Sequence, residues 1–363
     1  MNAVPYLIEP LVLPASLDAP DAGEFLEFGE LSDALVLETW GNPDRSSPAQ
    51  ARLHYWRDSP YTQLRLFLAR VDGRMLGRSW IRFGLQENVH TALLHVSVLA
   101  EFSGRGIGRA LMDHAEDLAA SRGCTTLQTF SEHPADFDVE DPRLLKPGTG
   151  TGGVPAEARC VRFARRAGYR LEQVERFSAL TLPPAEDTLA ALDADALSKA
   201  GEHYELLHWI DSCPDEYTAQ LAVLMSRMST DTPAGGLSYD EETWDVTRVR
   251  HVENTWKQAG LDSLVASARH RDTGELAAYS VLQVSDRKPW LANQDDTLVA
   301  SHHRGHRVGM LVKILNIRRL LTGYPNVERI VTFNAAENDH MLAINVALGF
   351  RPAGYDGEWQ KTL

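Results

Sequence analysis

Two stretches of this chain share one plan: an apolar strand runs straight into a glycine-marked turn, and an apolar helix follows at once. The first reads Leu93-Leu94-His95-Val96-Ser97-Val98, continues through Leu99 to Ser103, and enters Gly104-Arg105-Gly106-Ile107-Gly108. The second reads Thr297-Leu298-Val299-Ala300-Ser301-His302-His303-Arg304-Gly305-His306-Arg307-Val308-Gly309, with Val299 equivalent to Val98. A strand end followed by small residues brings several backbone N–H groups to a helix start, where unpaired amides and the positive dipole end attract phosphate. The plan predicts a ligand that carries phosphates.

Spacing removes two familiar ligand classes. Neither turn ends in Gly-Lys-Ser/Thr, as a nucleoside triphosphate loop would. Gly104, Gly106 and Gly108 are spaced G-x-G-x-G, and about a hundred residues precede them, which does not fit a dinucleotide fold. With 363 residues the chain holds about two domains, and 44% hydrophobic content supplies ordinary cores. No run of about 18 apolar residues exists, and Met1-Asn2-Ala3-Val4-Pro5 lacks the basic and apolar regions of a leader, so a cytoplasmic location without membrane association is expected. Cys124, Cys160 and Cys213 lack C-x-x-C spacing and suggest neither a disulfide framework nor a metal knuckle. A net charge of −14 argues against nucleic-acid binding and favours cationic small-molecule partners.

Read in order, residues 24–57 form helix broken near Gly41-Asn42-Pro43, and residues 64–83 form a hairpin turning at Asp72-Gly73. A strand over 90–98, the first glycine turn, a helix stopped at Gly123 and a strand over 125–130 follow. Residues 133–156, rich in Gly, Pro and Asp, read as a mobile loop. A short helix over 161–168 and a strand over 171–182 come next, and a connector begins at Pro183-Pro184 with a short helix over 188–200. The pattern then restarts: a strand over 204–209, helices over 216–228 and 241–257 separated by residues 229–236, and a hairpin over 264–284. Beyond the second glycine turn lie a helix, a strand over 327–333, a helix over 339–348 and a last strand over 351–363.

The two turns resemble the acyl-CoA pyrophosphate loop of the GNAT N-acetyltransferase superfamily, and the repetition resembles the tandem type found in mycothiol synthase-like proteins. Ser103 departs from that loop where Arg or Gln is usual, and Arg307 departs where Gly is usual. The resemblance implies an α/β (α+β) fold of two consecutive domains, each a mixed, mostly antiparallel central sheet flanked by helices. They would span 1–183 and 201–363, with a connector over 184–200. It also implies acetyl-CoA as co-substrate and no metal. The binding residues carried over are Leu298, Val299, Arg304, Gly305, His306, Arg307, Val308 and Gly309, together with Val98, Gly104, Arg105, Gly106, Ile107 and Gly108. Asn334 and Asn338 match positions that hold the pantetheine arm, and they equally suit turn and helix-cap roles. In each domain the acceptor would face the first helices, and residues 229–236 would do so in the second.

The implied reaction is direct attack of a small-molecule amine on a thioester, which needs alignment, carbonyl polarisation and a proton acceptor. Asp296 and Asp295 lie on the strand entering the second turn and, being successive, are expected on opposite faces; either serves as base, or both are solvated strand-end acids. His95 is the comparable group in the first domain, with a core histidine as the alternative. The family's thiolate-protonating Tyr is replaced by Ala164 and Asn345. The second domain is therefore expected to carry the chemistry, in a monomer or homodimer. Rival readings are a non-catalytic acyl-CoA binding protein and aminoacyl transfer from a charged tRNA, which the acidic balance disfavours.

Overall fold

The computed structural model describes residues 6–363, so the leader reading of Met1–Pro5 lies outside the described residues. The chain divides into two compact units. Unit 1 takes residues up to Val174 together with Ala234–Asp240 and Tyr355–Leu363, and unit 2 takes Glu175–Pro233 and Glu241–Gly354.

In unit 1, β1 (Leu7–Pro10) pairs with β2 (Thr62–Val71) after α1 (Ala22–Trp40) and α2 (Ala49–Tyr55). α1 buries Phe25, Phe28, Leu31 and Leu35 at helical spacing and stops where Gly41 adopts φ 67° and returns its N–H to the Leu37 carbonyl. β2 turns through Asp72 and Gly73, both at positive φ, into antiparallel β3 (Arg74–Gly84). β4 (Thr91–Val98) pairs antiparallel with β3 and enters the glycine turn that opens α3 (Ile107–Ser121). β5 (Thr126–Pro134) pairs parallel with β4 over Thr91–Leu93 only, after which the two strands part. The short β6 (Leu144–Leu145) and β7 (Val154–Pro155) pair with each other, so the stretch expected to be a mobile loop contains a small ribbon. α4 (Arg159–Arg166) follows.

β8 (Arg170–Thr181) leads into unit 2, where α5 (Glu186–Ala200), β9 (Tyr204–Ile210), α6 (Asp215–Asp231) and α7 (Val246–Gln258) precede the sheet core. α7 starts at Val246, later than the expected 241, because Asp245 caps it by accepting from the Arg248 N–H. β10 (Asp262–His270), β11 (Leu276–Val284) and β12 (Leu291–Val299) form an antiparallel meander with β9. After α8 (Val308–Gly323), β13 (Arg329–Ala335) pairs parallel with β12 over Leu291–Asn293 only and antiparallel with β8 over Glu175–Thr181. α9 (Asp339–Leu348) and β14 (Arg351–Thr362) end the chain.

Each unit is thus a mixed, mostly antiparallel sheet with flanking helices, as expected. α8 is buried almost all round, at Val308, Met310, Leu311, Val312, Ile314 and Ile317 among others, because α5 covers it with Leu189, Ala196 and Ala200. Of residues 229–236, Gly236 donates its N–H to the Glu172 carbonyl in unit 1, whereas Thr232 and Pro233 border a cavity in unit 2. The C-terminal strand supplies unit 1 with Trp359, wholly buried, whose indole N–H donates to Ser131 Oγ at 2.9 Å. Trp359→Ala should therefore cost about 3–5 kcal/mol. Urea unfolding followed by circular dichroism checks this, and a loss below about 1 kcal/mol would show that the strand is not integral to the unit 1 core.

Candidate active-site cavities

Where β4 and β5 part, unit 1 holds a cavity of about 490 Å³. Its floor is His95 to Val98 on one strand and Thr129 to Glu132 on the other. Gly104, Gly106 and Gly108 form one rim, and Gly104 and Gly106 hold φ 74° and 89°, a conformation that glycine adopts without a Cβ clash. α4 forms the opposite wall and brings Arg159, Arg162 and Arg166, and Arg109 joins them from α3. Arg159 donates to Ser103 Oγ, so a cation from another helix stands where the turn itself lacks one. Of the other residues singled out here, Arg105 donates to the Glu101 carbonyl and lies over Phe102, and Ile107 is buried in the core.

His95 shares a 2.8 Å hydrogen bond with Ser97 Oγ and stacks on Phe130 at 4.3 Å. Burial, reinforced by the positive charges of Arg78 and Arg45, pushes its pKa down to about 3. The imidazole is neutral at pH 7. Arg78 also lines the cavity, with its own pKa lowered to about 10 by burial and by Arg52. Ala164, on the α4 wall, brings no hydroxyl.

Unit 2 holds a cavity of about 210 Å³ at the equivalent parting of β12 and β13. Ser280 faces Thr297 across the β11–β12 ladder while Leu282 faces Gln294, so β12 carries one extra residue between them. That bulge contains Asp295 and Asp296. It overrides strand alternation, and both residues line the same cavity instead of opposite faces. Buried amides answer the backbone groups that the bulge releases: Gln294 Nε2 donates to the Val281 carbonyl at 2.6 Å, and Asn316 Nδ2 to the Ser280 carbonyl at 2.9 Å.

Tyr279 Oη donates to Asp296 Oδ2 at 3.0 Å. Burial pushes the Asp296 carboxyl up against this hydrogen bond, which acts to lower it. Asp295 is an exposed residue, and desolvation by the surrounding protein atoms together with the charge of Asp296 pushes its carboxyl up to about 7. Lys313, 2% exposed, borders the same cavity, and burial lowers its pKa to about 7. Asn334 also lines it and accepts from Asn345 Nδ2 at 2.7 Å; Asn338 lines it while capping α9 through the Met341 N–H.

The second turn has the same backbone as the first, with Gly305 at φ 86° and Arg307 at φ 60° where unit 1 has Gly106. Its residues 304–309 stand outside the lining of the 210 Å³ cavity. Arg304 pairs with Asp231 at 2.8 Å and Arg307 with Asp195 at 3.6 Å. His306 Nδ1 lies 3.3 Å from the His303 carbonyl, Leu298 and Val308 are core residues, and a Cβ on Gly309 would meet Val299 at 3.1 Å. Tyr279, Lys313 and Arg159 escaped the sequence reading. Only Lys313 left a trace there, as a lone cation in the apolar run Met310 to Ile314.

These paired cavities, each on a parted parallel strand pair beside a glycine turn, define the GNAT class. Residues 33–136 match the model of the Acetyltransferase (GNAT) family. A tandem GNAT protein from the clavulanic acid biosynthesis pathway, solved without AcCoA, superposes with a TM-score of 0.74 at 25% identity over 99% of this chain and 98% of that one. A GCN5-related N-acetyltransferase from Sphaerobacter thermophilus matches in fold at TM-score 0.61 and 15% identity, over 98% of this chain and 95% of its own. The glucosamine N-acetyltransferase region of a fungal multi-domain GH3 beta-N-acetylglucosaminidase also shares the fold, at TM-score 0.61 and 14% identity, over 98% of this chain and 38% of that one. No curated protein matches in sequence. A GNAT family match over residues 33–136 and the fold of a tandem GNAT protein over nearly the whole length are thus what this chain shows.

The lowered pKa of His95 makes unit 1 acid-sensitive. The unfolded imidazole takes a proton near 6.5 and the folded one only near 3, so its contribution to stability is present above about 6.5 and is lost as pH falls towards 3. By pH 4 the loss is roughly 3 kcal/mol. His95→Gln should flatten the fall in stability between pH 6.5 and 4 in urea titrations, and an unchanged slope would contradict the assignment.

Proposed function

We propose that this protein is an acyl-CoA-dependent N-acyltransferase that moves acetyl from acetyl-CoA to a small primary amine, with the transfer in unit 2. The observation that carries this reading is the bulge that turns Asp295 and Asp296 into one cavity beside Tyr279. In the transfer an amine nitrogen bonds to the thioester carbon, the carbon–sulfur bond breaks, the amine loses a proton and the thiolate gains one. Asp296 and Asp295 accept the amine proton, directly or through water. Crowding that raises Asp295 towards neutrality matches a base to working pH. The carboxylates also favour an acceptor that arrives as a cation. With Ala164 and Asn345 at the tyrosine positions, the thiolate takes its proton from solvent.

Arg304 and Arg307 exchange the half-buried Asp231 and the exposed Asp195 for phosphate oxygens, and the second exchange costs little because surface ion pairs contribute little. Unit 1, with glycine rim, arginine wall and no strand carboxylate on β4, holds a second acyl-CoA without turning it over. That half supports the rival reading, a non-catalytic acyl-CoA binding protein.

Two measurements separate these readings. Asp296→Asn should lower kcat by roughly 10²–10⁴-fold against an amine panel. Asp295→Asn, which removes the carboxyl raised to about 7, should abolish the rising limb of kcat/KM near that pH; no change in either variant sinks the base assignment. In calorimetric titrations with acetyl-CoA, Gly309→Glu should abolish turnover and leave one binding event, and Gly108→Glu should remove the other event and leave turnover. The reverse pattern moves the chemistry to unit 1, binding without turnover of any amine supports the rival, and no binding by the wild type removes the acyl-CoA reading.

A further inference from the structure

Five histidines of unit 2, His203, His270, His302, His303 and His306, gather beside the second turn, and the first four have no part in the proposed transfer. Four of the rings form a chain: His203 on His270 at 6.1 Å, His270 on His303 at 5.3 Å, and His303 on His302 at 4.3 Å. Aromatic packing alone does not call for histidine at each of these places. The carboxylate of Glu275, from the turn between β10 and β11, reaches into the group. Its Oε1 is 3.0 Å from His302 Nε2, and its Oε2 is 3.6 Å from His303 Nε2.

We infer that Glu275, His302 and His303 form a binding site for a divalent transition-metal ion such as Zn²⁺. The donor atoms of these three residues lie within 4.8 Å of one another. Ligands of a tetrahedral Zn²⁺, each about 2.1 Å from the ion, stand about 3.4 Å apart, and small rotamer changes give that spacing here. Two imidazoles and a carboxylate suit zinc and its neighbours and leave a fourth position for water.

An independent observation points the same way. His303 is 6% exposed, and its Nε2 makes no hydrogen bond among the described residues. A buried ring nitrogen whose facing carboxylate oxygen stands at 3.6 Å, beyond hydrogen-bond reach, is costly unless something comes between them. Tyr204 Oη lies 3.0 Å from His303 Nδ1 and accepts its proton when the Nε2 lone pair faces a metal, the outer-shell support that ligating histidines usually have. A bound ion would tie the turn at Ser301–His303, directly before Arg304, to the hairpin turn at Glu275, and so hold the start of the second glycine turn in place.

The test uses full-length protein without a polyhistidine tag, stripped with chelator and titrated with Co²⁺ while its visible absorption is followed. The wild type should take up one ion per chain, develop the strong d–d bands of a tetrahedral site, and melt at higher temperature with the ion than without it. Glu275→Gln and His302→Ala alter half-exposed side chains, so the fold should survive; each should weaken binding at least tenfold, and His203→Gln should leave it within about twofold. Absence of tetrahedral bands overturns the site, as does binding indifferent to Glu275→Gln and His302→Ala. Binding lost in His203→Gln alone places the ion instead at the neighbouring His203, His270 and Asp272 and equally overturns it.

Discussion

Everything functional in this molecule depends on two parallel strand pairs that are allowed to come apart. β4 and β5 share a ladder only over Thr91–Leu93, and β12 and β13 only over Leu291–Asn293. Beyond those residues the backbone of each strand faces open space, and a ligand with amide groups can take the place of the missing neighbour. The parting strands also carry the chain to a left-handed glycine turn, whose amides head a helix. A floor of unpaired strand edge and a rim of helix N–H groups thus arise from one topological decision, made once in each unit.

The two units then spend the same frame differently. Unit 1 keeps an uninterrupted β3–β4 register, a neutral His95 between aromatic rings, and a wall of arginines from α4. Unit 2 inserts a residue into β12, and the cost of the bulge is met by Gln294 and Asn316, both buried and both aimed at freed carbonyls. A dedicated hydrogen-bonding support under two adjacent carboxylates argues that the bulge is a designed feature of the strand. The outcome is one cationic cavity and one acidic cavity on similar scaffolds.

Charge is local here in a way that net charge conceals. A chain of net charge −14 still places Arg109, Arg159, Arg162 and Arg166 around one opening. In unit 2, Asp195 and Asp231 already sit on the arginines of the glycine turn, so ligand phosphate would compete with internal carboxylates there. That competition is weak in water and stronger at low ionic strength.

The tandem plan, the hairpins over 64–83 and 264–284, the helix stops and the glycine turns were all legible in the sequence, because each rests on local rules: alternation, helical period and the φ that glycine allows. The candidate residues were also legible as types on named strands. Three things were decided only in three dimensions. Arg159 reaches Ser103 across more than fifty residues, which no local pattern encodes. Asp295 and Asp296 share a cavity because of a bulge, and a bulge is a property of two strands compared, invisible in either alone. Finally, the last strand serves the first unit's core through Trp359, since a sheet edge is completed by whichever strand fits it in space and not by the next one along the chain. The chain's own chemistry determined what each segment could become; burial and neighbours determined which charges those segments would bring together.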